Sequence, residues 1–260
     1  MTAATLAQSI SQTSGRLRDT EKIVDLVVDT FRSQLAAIAG NILVAFPLAI
    51  LVLLAATKQF GVAWVSPDKA LHLLDDVMPF SSPTLLYAAI AGVWLFVTGL
   101  VSGYFDNRAA YTQLGPRIAQ LRWLRTVLRP RGADAVGQYI AANAGGLGGN
   151  IFFGLMLGLT PLLGNALGLS LDIRHIAFSS ANVGYALVAL HFDVTPLQLL
   201  TAISGVLLIG LVNLMVSFTL ALWIAMRSRD VSFWLLAPIL PRLRQRLLAR
   251  PYSFFLPPPA

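Results

Sequence analysis

The chain contains no cysteine. That single absence excludes disulfide frameworks, thiolate metal sites, iron–sulfur clusters and cysteine nucleophiles together, and it leaves the redox compartment unreadable. Charge is scarce too: Asp, Glu, Lys and Arg make up 12% of 260 residues, against about 25% in soluble proteins. Acids are the scarcer sign, 12 against 19 bases, for a net charge of +7 and a pI near 10.2. A basic nucleic-acid-binding domain has such a pI, but it spends its surface on charge, whereas 56% of this chain is hydrophobic and its mean hydropathy is +0.71. This composition belongs in a bilayer. Also missing are Gly-x-Ser-x-Gly, Gly-x-x-x-x-Gly-Lys, Gly-x-Gly-x-x-Gly and His-Glu-x-x-His. No catalytic residue, cofactor or metal is therefore assigned, and whether the chain is an enzyme stays open.

Long uncharged runs are what the chain does have. The first 34 residues are polar, with four acids and four bases, and hold no apolar signal-like core, so the first span is expected to direct insertion itself. Within this segment Leu6, Ile10, Leu17, Val24, Val28, Phe31 and Leu35 recur at helical steps, backed by Arg16, Asp19, Asp25, Asp29 and Arg32, which predicts one or two amphipathic helices. Residues 35–57 carry no charge and exceed the roughly 20 residues a crossing needs. Residues 83–105 do the same, with Ser82 as N-cap and Pro83 opening the helix. Residues 196–226 repeat the device with Thr195 and Pro196 and are long enough to cross with tilt.

Between these spans, residues 140–192 are apolar but interrupted by Gly145, Gly146, Gly148, Gly149, Asn150, Pro161, Gly164, Asn165 and Gly168. Breaks at membrane depth survive only against protein or a water-filled cavity, so this stretch is expected to line the interior and to be the functional centre. Lys and Arg number four before the first span, two in 58–82, six in 106–139, one in 168–175, none in 191–196 and six after Met226. The positive-inside rule then places both termini and the 106–139 loop in the cytoplasm. Five full crossings would put the 106–139 loop and the C-terminus on opposite sides, so residues 145–168 are expected to be re-entrant while 175–191 crosses outward; the alternative is five spans with an exported basic tail. The fold class is all-α, a polytopic helical membrane protein of four to five transmembrane helices including one Gly/Pro-broken or re-entrant segment. Its parts are an amphipathic N-terminal segment 1–34, a transmembrane domain 35–226 and a basic amphipathic tail 227–260.

Several polar groups stand out against this background. After Gly115 and Pro116 come Arg117, Arg122, Arg125, Arg129 and Arg131 without an acid, beside Ile118, Leu121, Trp123, Leu124 and Leu128. The tail repeats the theme with Arg242, Arg244, Arg246 and Arg250 beside Trp234, Leu243, Leu247 and Leu248. Anionic lipid headgroups are the expected partner of both faces, since interfacial anchoring explains every one of these arginines, although nucleic acid binds such faces too. Asn41, Asn150, Asn165, Asn182 and Asn213 lie in apolar segments, beside Ser179, Ser180 and Ser217. Interhelical hydrogen bonds are the plain reading of these groups, and a polar substrate path the sharper one, favoured at Asn150 and Asn165 where glycines admit close backbone. Gly99 with Gly103, Gly154 with Gly158 and Gly164 with Gly168 have the spacing of tight helix contacts, within the chain or in self-association. Asp172, Arg174 and His175 form an ionisable cluster amid apolar residues; Arg174 can hold an anion, or Asp172 and Arg174 simply pair at a helix start. His191 and Asp193 are expected in solvent. Asp68, His72, Asp75 and Asp76 share a helical face that could suit a divalent cation but is read as a solvated acidic face, and no metal is assigned.

Gly149-Asn150, Gly154, Gly158, Pro161, Gly164 and then GLSLDIRHIAFSS from Gly168 to Ser180 resemble the bacterial, membrane-embedded family named Gcr-type site-specific recombinase. The resemblance continues through residues 33–41, 87–100 and the closing FFLPP at 254–258, and implies a C-terminal membrane portion of that family. One departure is Ser170, where the family pattern carries proline. The family name implies DNA recombination, which needs a Ser or Tyr nucleophile with arginines around a phosphate. Arg174, His175, Ser179, Ser180 and Tyr185 are the residues that could be written into that role, but all lie where the chain enters or crosses the bilayer, where duplex DNA cannot follow. The first expectation is therefore a bacterial inner-membrane protein with a polar site, formed by Asn150, Asn165, Asp172, Arg174, His175 and Ser179, for transport or handling of an anionic or lipid-linked molecule. A DNA recombinase and a membrane anchor or assembly partner are the alternatives.

Overall fold

A computed structural model describes residues 17–79, 83–230, 237 and 239–256. Leu6 and Ile10 of the N-terminal stripe, the Ser82 cap and Trp234 lie outside the described residues, as does the side chain of Leu17. The described residues are helical, with no strand among them: α1 Leu17–Phe60, α2 Pro67–Asp75, α3 Thr84–Tyr111, α4 Leu114–Ala119, α5 Arg122–Ala142, α6 Ala144–Ala166, α7 Ile176–Ala189, α8 Pro196–Arg227 and α9 Ile239–Ala249, followed by a 3-10 turn Pro251–Phe254. Four helices, α1, α3, α6 and α8, are long and apolar enough to cross a membrane. The chain is a polytopic helical membrane protein, and its outward faces, with Leu43 72%, Ile151 73% and Leu197 73% exposed, have the apolar surface that hydrocarbon requires.

The fold divides into two compact units, one within residues 1–92 and 174–260, the other within 93–173. In the first unit, α1 runs 44 residues without a break, so the amphipathic N-terminal segment and the first span are one helix that continues through residue 34 and past Pro47. Its polar third packs Ile23, Val24 and Val28 against Leu222, Ala225 and Met226 at the end of α8 and Ile239 of α9. Farther along, α7 packs on α1, and a Cβ on Gly184 would come 2.8 Å from the Phe46 carbonyl oxygen. Helix α2 starts at the Ser66 cap, whose hydroxyl accepts from the Lys69 N–H at 3.3 Å, and Pro67 presets its first turn. One face of α2, Ala70, Leu73 and Leu74, joins Val77, Val183, Leu187, Val206 and Ile209 in the main core. Helix α8 begins with a reciprocal capping box between Thr195 and Gln198, as its Thr-Pro start predicts.

Helix α7 corrects one expectation. Residues 175–191 were to cross the bilayer, but α7 has 14 residues, about 21 Å of rise against a hydrocarbon core of about 30 Å. It starts where Ile176 meets Gly210, near the middle of α8, and ends at Ala189, shortly before α8 begins.

In the second unit α4, α5 and α6 follow the remainder of α3. The interruption expected within residues 140–192 falls at Asn143 and over Leu167–His175, which holds Gly168, whereas Gly145, Gly146, Gly148, Gly149, Gly164 and Pro161 lie inside the 23-residue α6. Three of them serve contact: a Cβ on Gly145, Gly148 or Gly149 would overlap the Asp106 carboxylate, the Phe105 ring or the Ser102 hydroxyl of α3, respectively. Asp106 also accepts the Gly145 N–H at 2.7 Å, a carboxylate at the positive end of α6.

Candidate functional site

A polar junction in the first unit gathers around the first turn of α7. His175 is the N-cap of this helix by backbone position, but its side chain makes no capping bond. The cap comes from α8: Asn213 Oδ1 accepts the Ile176 N–H at 3.1 Å, so an asparagine on a neighbouring helix satisfies one of the donors that every helix start leaves open. Its Nδ2 donates to the Ala88 carbonyl of α3 at 2.8 Å and to the Arg174 carbonyl at 2.9 Å. One side chain, 2% exposed, therefore ties three segments together. Two glycines make room: a Cβ on Gly210 would overlap Ile176, and one on Gly92 would come 2.7 Å from the Val216 Cβ. Asn213 thus makes the interhelical bonds that a polar group in an apolar run predicts.

Arg174 sits at the same junction. Its N–H donates to the Tyr87 carbonyl at 3.2 Å, its Nε donates to the Asp76 carbonyl at 3.2 Å, and its Nη2 lies 2.7 Å from Asp76 Oδ1. The guanidinium also stands 5.6 Å from the Tyr87 ring centroid, within cation–π range. The Arg174 side chain is 15% exposed and that of Asp76 37%, so the carboxylate is the member of the pair that solvent reaches. Asp76 is placed by the end of α2, where its N–H closes on the His72 and Leu74 carbonyls, and by Thr84, whose hydroxyl donates to the Asp76 carbonyl at 3.0 Å. Asp68, His72 and Asp75 remain on the exposed face of α2, while Asp76 leaves that face for Arg174. His175 packs edge-on to Phe178 at 6.4 Å, and Ser179 and Ser180 are buried on α7, the Ser180 hydroxyl donating to the Ile176 carbonyl at 2.7 Å.

Arg174, His175 and Ser179 thus share one unit with Asn213, Asp76 and Tyr87. The other three candidates belong to the second unit. Asn150 is exposed on α6; Asn165 is exposed near its end, its carbonyl accepting from Gly168; and Asp172 accepts the Ile173 N–H at 2.7 Å. Asp76 and Tyr87 were missed as site residues because nothing local marks them: Asp76 is 98 positions from its partner.

The basic residues divide as well. Arg117 on α4 and Arg122, Arg125 and Arg129 on α5 are all exposed, and the chain kinks at Arg129, whose φ of 58° and ψ of 168° precede Pro130. In the tail, Arg242 pairs with Glu21 and Arg246 with Asp25 of α1, each at 2.8 Å, while Arg244 stays exposed. Of the acids that meet the tail, Asp25 belongs to the polar backing of the N-terminal stripe read in the sequence, whereas Glu21 was not singled out there.

A membrane-spanning helical protein whose half-length helix begins at an arginine–carboxylate pair is the class that this fold and junction define. The chain belongs to the site-specific recombinase family, whose model matches residues 1–257. No curated protein matches the chain, and no solved structure does.

Proposed function

We propose that the chain is an integral protein of the bacterial inner membrane, with cytoplasmic termini, that handles an anionic or lipid-linked molecule at Arg174. The observation that carries this reading is the Arg174–Asp76 pair at the start of a helix that begins midway along α8. An arginine set among apolar helices demands an anion, and the positive end of α7 adds to that demand. Asp76 supplies the anion from within the chain. Because its carboxylate is the exposed member, a substrate phosphate or carboxylate can take its place on the guanidinium. Helix starts aimed at anionic groups where membrane helices are interrupted are a recurrent transporter arrangement, and this support is by analogy.

The test is flux in proteoliposomes, read with radiolabelled phosphate and with a fluorescent anionic phospholipid. One probe is expected to move with the native chain and to slow by about tenfold, ~1.4 kcal/mol, in Arg174→Gln. Flux of neither probe, or flux indifferent to R174Q, overturns the reading. An assembly role is favoured by a different observation: Gly99, Gly103, Gly154 and Gly158 meet nothing within 4 Å among the described residues, so both small-residue faces are open to another helix. Recombination rests on the family description, and a strand-exchange assay with the purified chain tests it.

A further inference from the structure

Away from Arg174, the two ends of the chain enclose a second polar space. The start of α1, the end of α9 and the 3-10 turn line a cavity of about 410 Å³ with Asp25, Arg32, Arg246, Arg250, Tyr252 and Ser253. Two of its three arginines are engaged. Arg32 lies 2.6 Å from Asp29 and donates to the carbonyls of Ser253 at 3.2 Å and Leu256 at 3.0 Å. Arg246 holds Asp25 at 2.8 Å, yet its Nε is buried and makes no hydrogen bond among the described residues. Arg250 forms no ion pair among the described residues. With two carboxylates against three guanidiniums, the cavity keeps one positive charge among the described residues, on the side of Arg250, as a site for a monoanion would.

Depth says which monoanion. Arg32 precedes the uncharged run 35–57 by three residues, about 4.5 Å along the helix, which sets the cavity at the level where acyl chains give way to headgroups. Its wall includes apolar Val28 and Leu256, which a glycerol backbone can cover but a hydrated free ion does not use. Tyr252 is 56% exposed at the same level, the usual station of an interfacial tyrosine.

We propose that this cavity binds the phosphodiester headgroup of an anionic phospholipid, with the Arg250 guanidinium as its donor, and so clamps the two ends of the chain at the membrane surface. The bound lipid joins α1 to the tail in a way that the ion pairs Glu21–Arg242 and Asp25–Arg246 do only in part. This site differs from a general basic surface in using Arg250 and leaving out Arg244, which is exposed on another face of α9.

The experiment titrates the purified full chain in detergent with phosphatidylglycerol, phosphatidylcholine and inorganic phosphate, reading thermal unfolding and lipid adducts by native mass spectrometry. Phosphatidylglycerol is expected to raise the melting temperature and to leave one retained adduct. Arg250→Gln is expected to weaken that binding about tenfold, while Arg244→Gln leaves it unchanged. Arg250 makes no ion pair among the described residues, so R250Q is expected to keep the terminal packing, and an unchanged melting temperature without lipid checks this. Equal losses in R250Q and R244Q, equal protection by phosphatidylcholine, or equal protection by inorganic phosphate would each overturn the proposal.

Discussion

At the residue scale, Asn213 shows how far composition carries. An amide in an apolar helix must find partners, so its use between helices is legible from the sequence; that it caps another helix is not, because the cap runs from α8 to α7 across 37 positions. Replacing it by leucine leaves the Ile176 N–H and the Ala88 and Arg174 carbonyls without their side-chain partner. Asn213→Leu is expected to destabilise the protein by about 2 kcal/mol, three membrane-depth bonds of ~0.6 kcal/mol each. Ser217→Ala, which loses a single local bond to the Leu214 carbonyl at 3.1 Å, is the comparison and should stay within about 0.5 kcal/mol. Unfolding of both variants in mixed micelles measures the difference. Arg174 was visible as a costly charge in an apolar stretch, but its partner Asp76 looked like one more acid on a solvated face.

At the element scale, the glycines sort into those that admit a neighbour and those that face open space, a distinction the spacing alone does not make. On α8, a Cβ at Gly205 would overlap the Val77 carbonyl, which is backbone and cannot turn aside. On α6, Gly154 meets nothing within 4 Å among the described residues, although its spacing to Gly158 suggests a tight contact just as strongly. Gly205→Ala is therefore expected to lower stability by about 2 kcal/mol through overpacking, and Gly154→Ala to leave it unchanged or slightly raised through helix propensity. Thermal unfolding of the two variants side by side is the check. The glycine-rich start of α6 is the same lesson reversed. Gly145, Gly148 and Gly149 read as a break, yet they are helical because the adjacent stretch of α3 presses on them, and the actual ends of α6 fall at Asn143 and Leu167.

At the scale of the whole molecule, four long helices and one half-length helix give one arrangement that meets the charge counts, and labelling tests it. If α1, α3, α6 and α8 each cross and α7 only dips into the bilayer, both termini and the arginine-rich 106–139 loop share one side, and no basic tail is exported. The re-entrant part is then 167–189, so Ser170 moves to the outer side. Because the native chain is free of cysteine, single cysteines can be placed at Gln113, Ser170, Val194 and Ser253 and labelled from each face of membrane vesicles. Gln113 and Ser253 are expected to label from the cytoplasm and Ser170 and Val194 from outside. Cytoplasmic labelling of Ser170 would return the re-entry to 145–168, and outside labelling of Ser253 would mean five spans.

By itself the sequence determined the solvent, the long apolar helices and the Thr-Pro start of α8. Each of these depends on residues close in the chain, whose spacing is set by helical rise and whose cost in hydrocarbon is paid residue by residue. Only the tertiary structure decided that α7 starts midway along α8, that Asp76 is the partner of Arg174, and that acids of α1 meet arginines of α9. These depend on which helix faces come together across tens to hundreds of positions, and many pairings of small and apolar faces satisfy the same local rules until packing selects one.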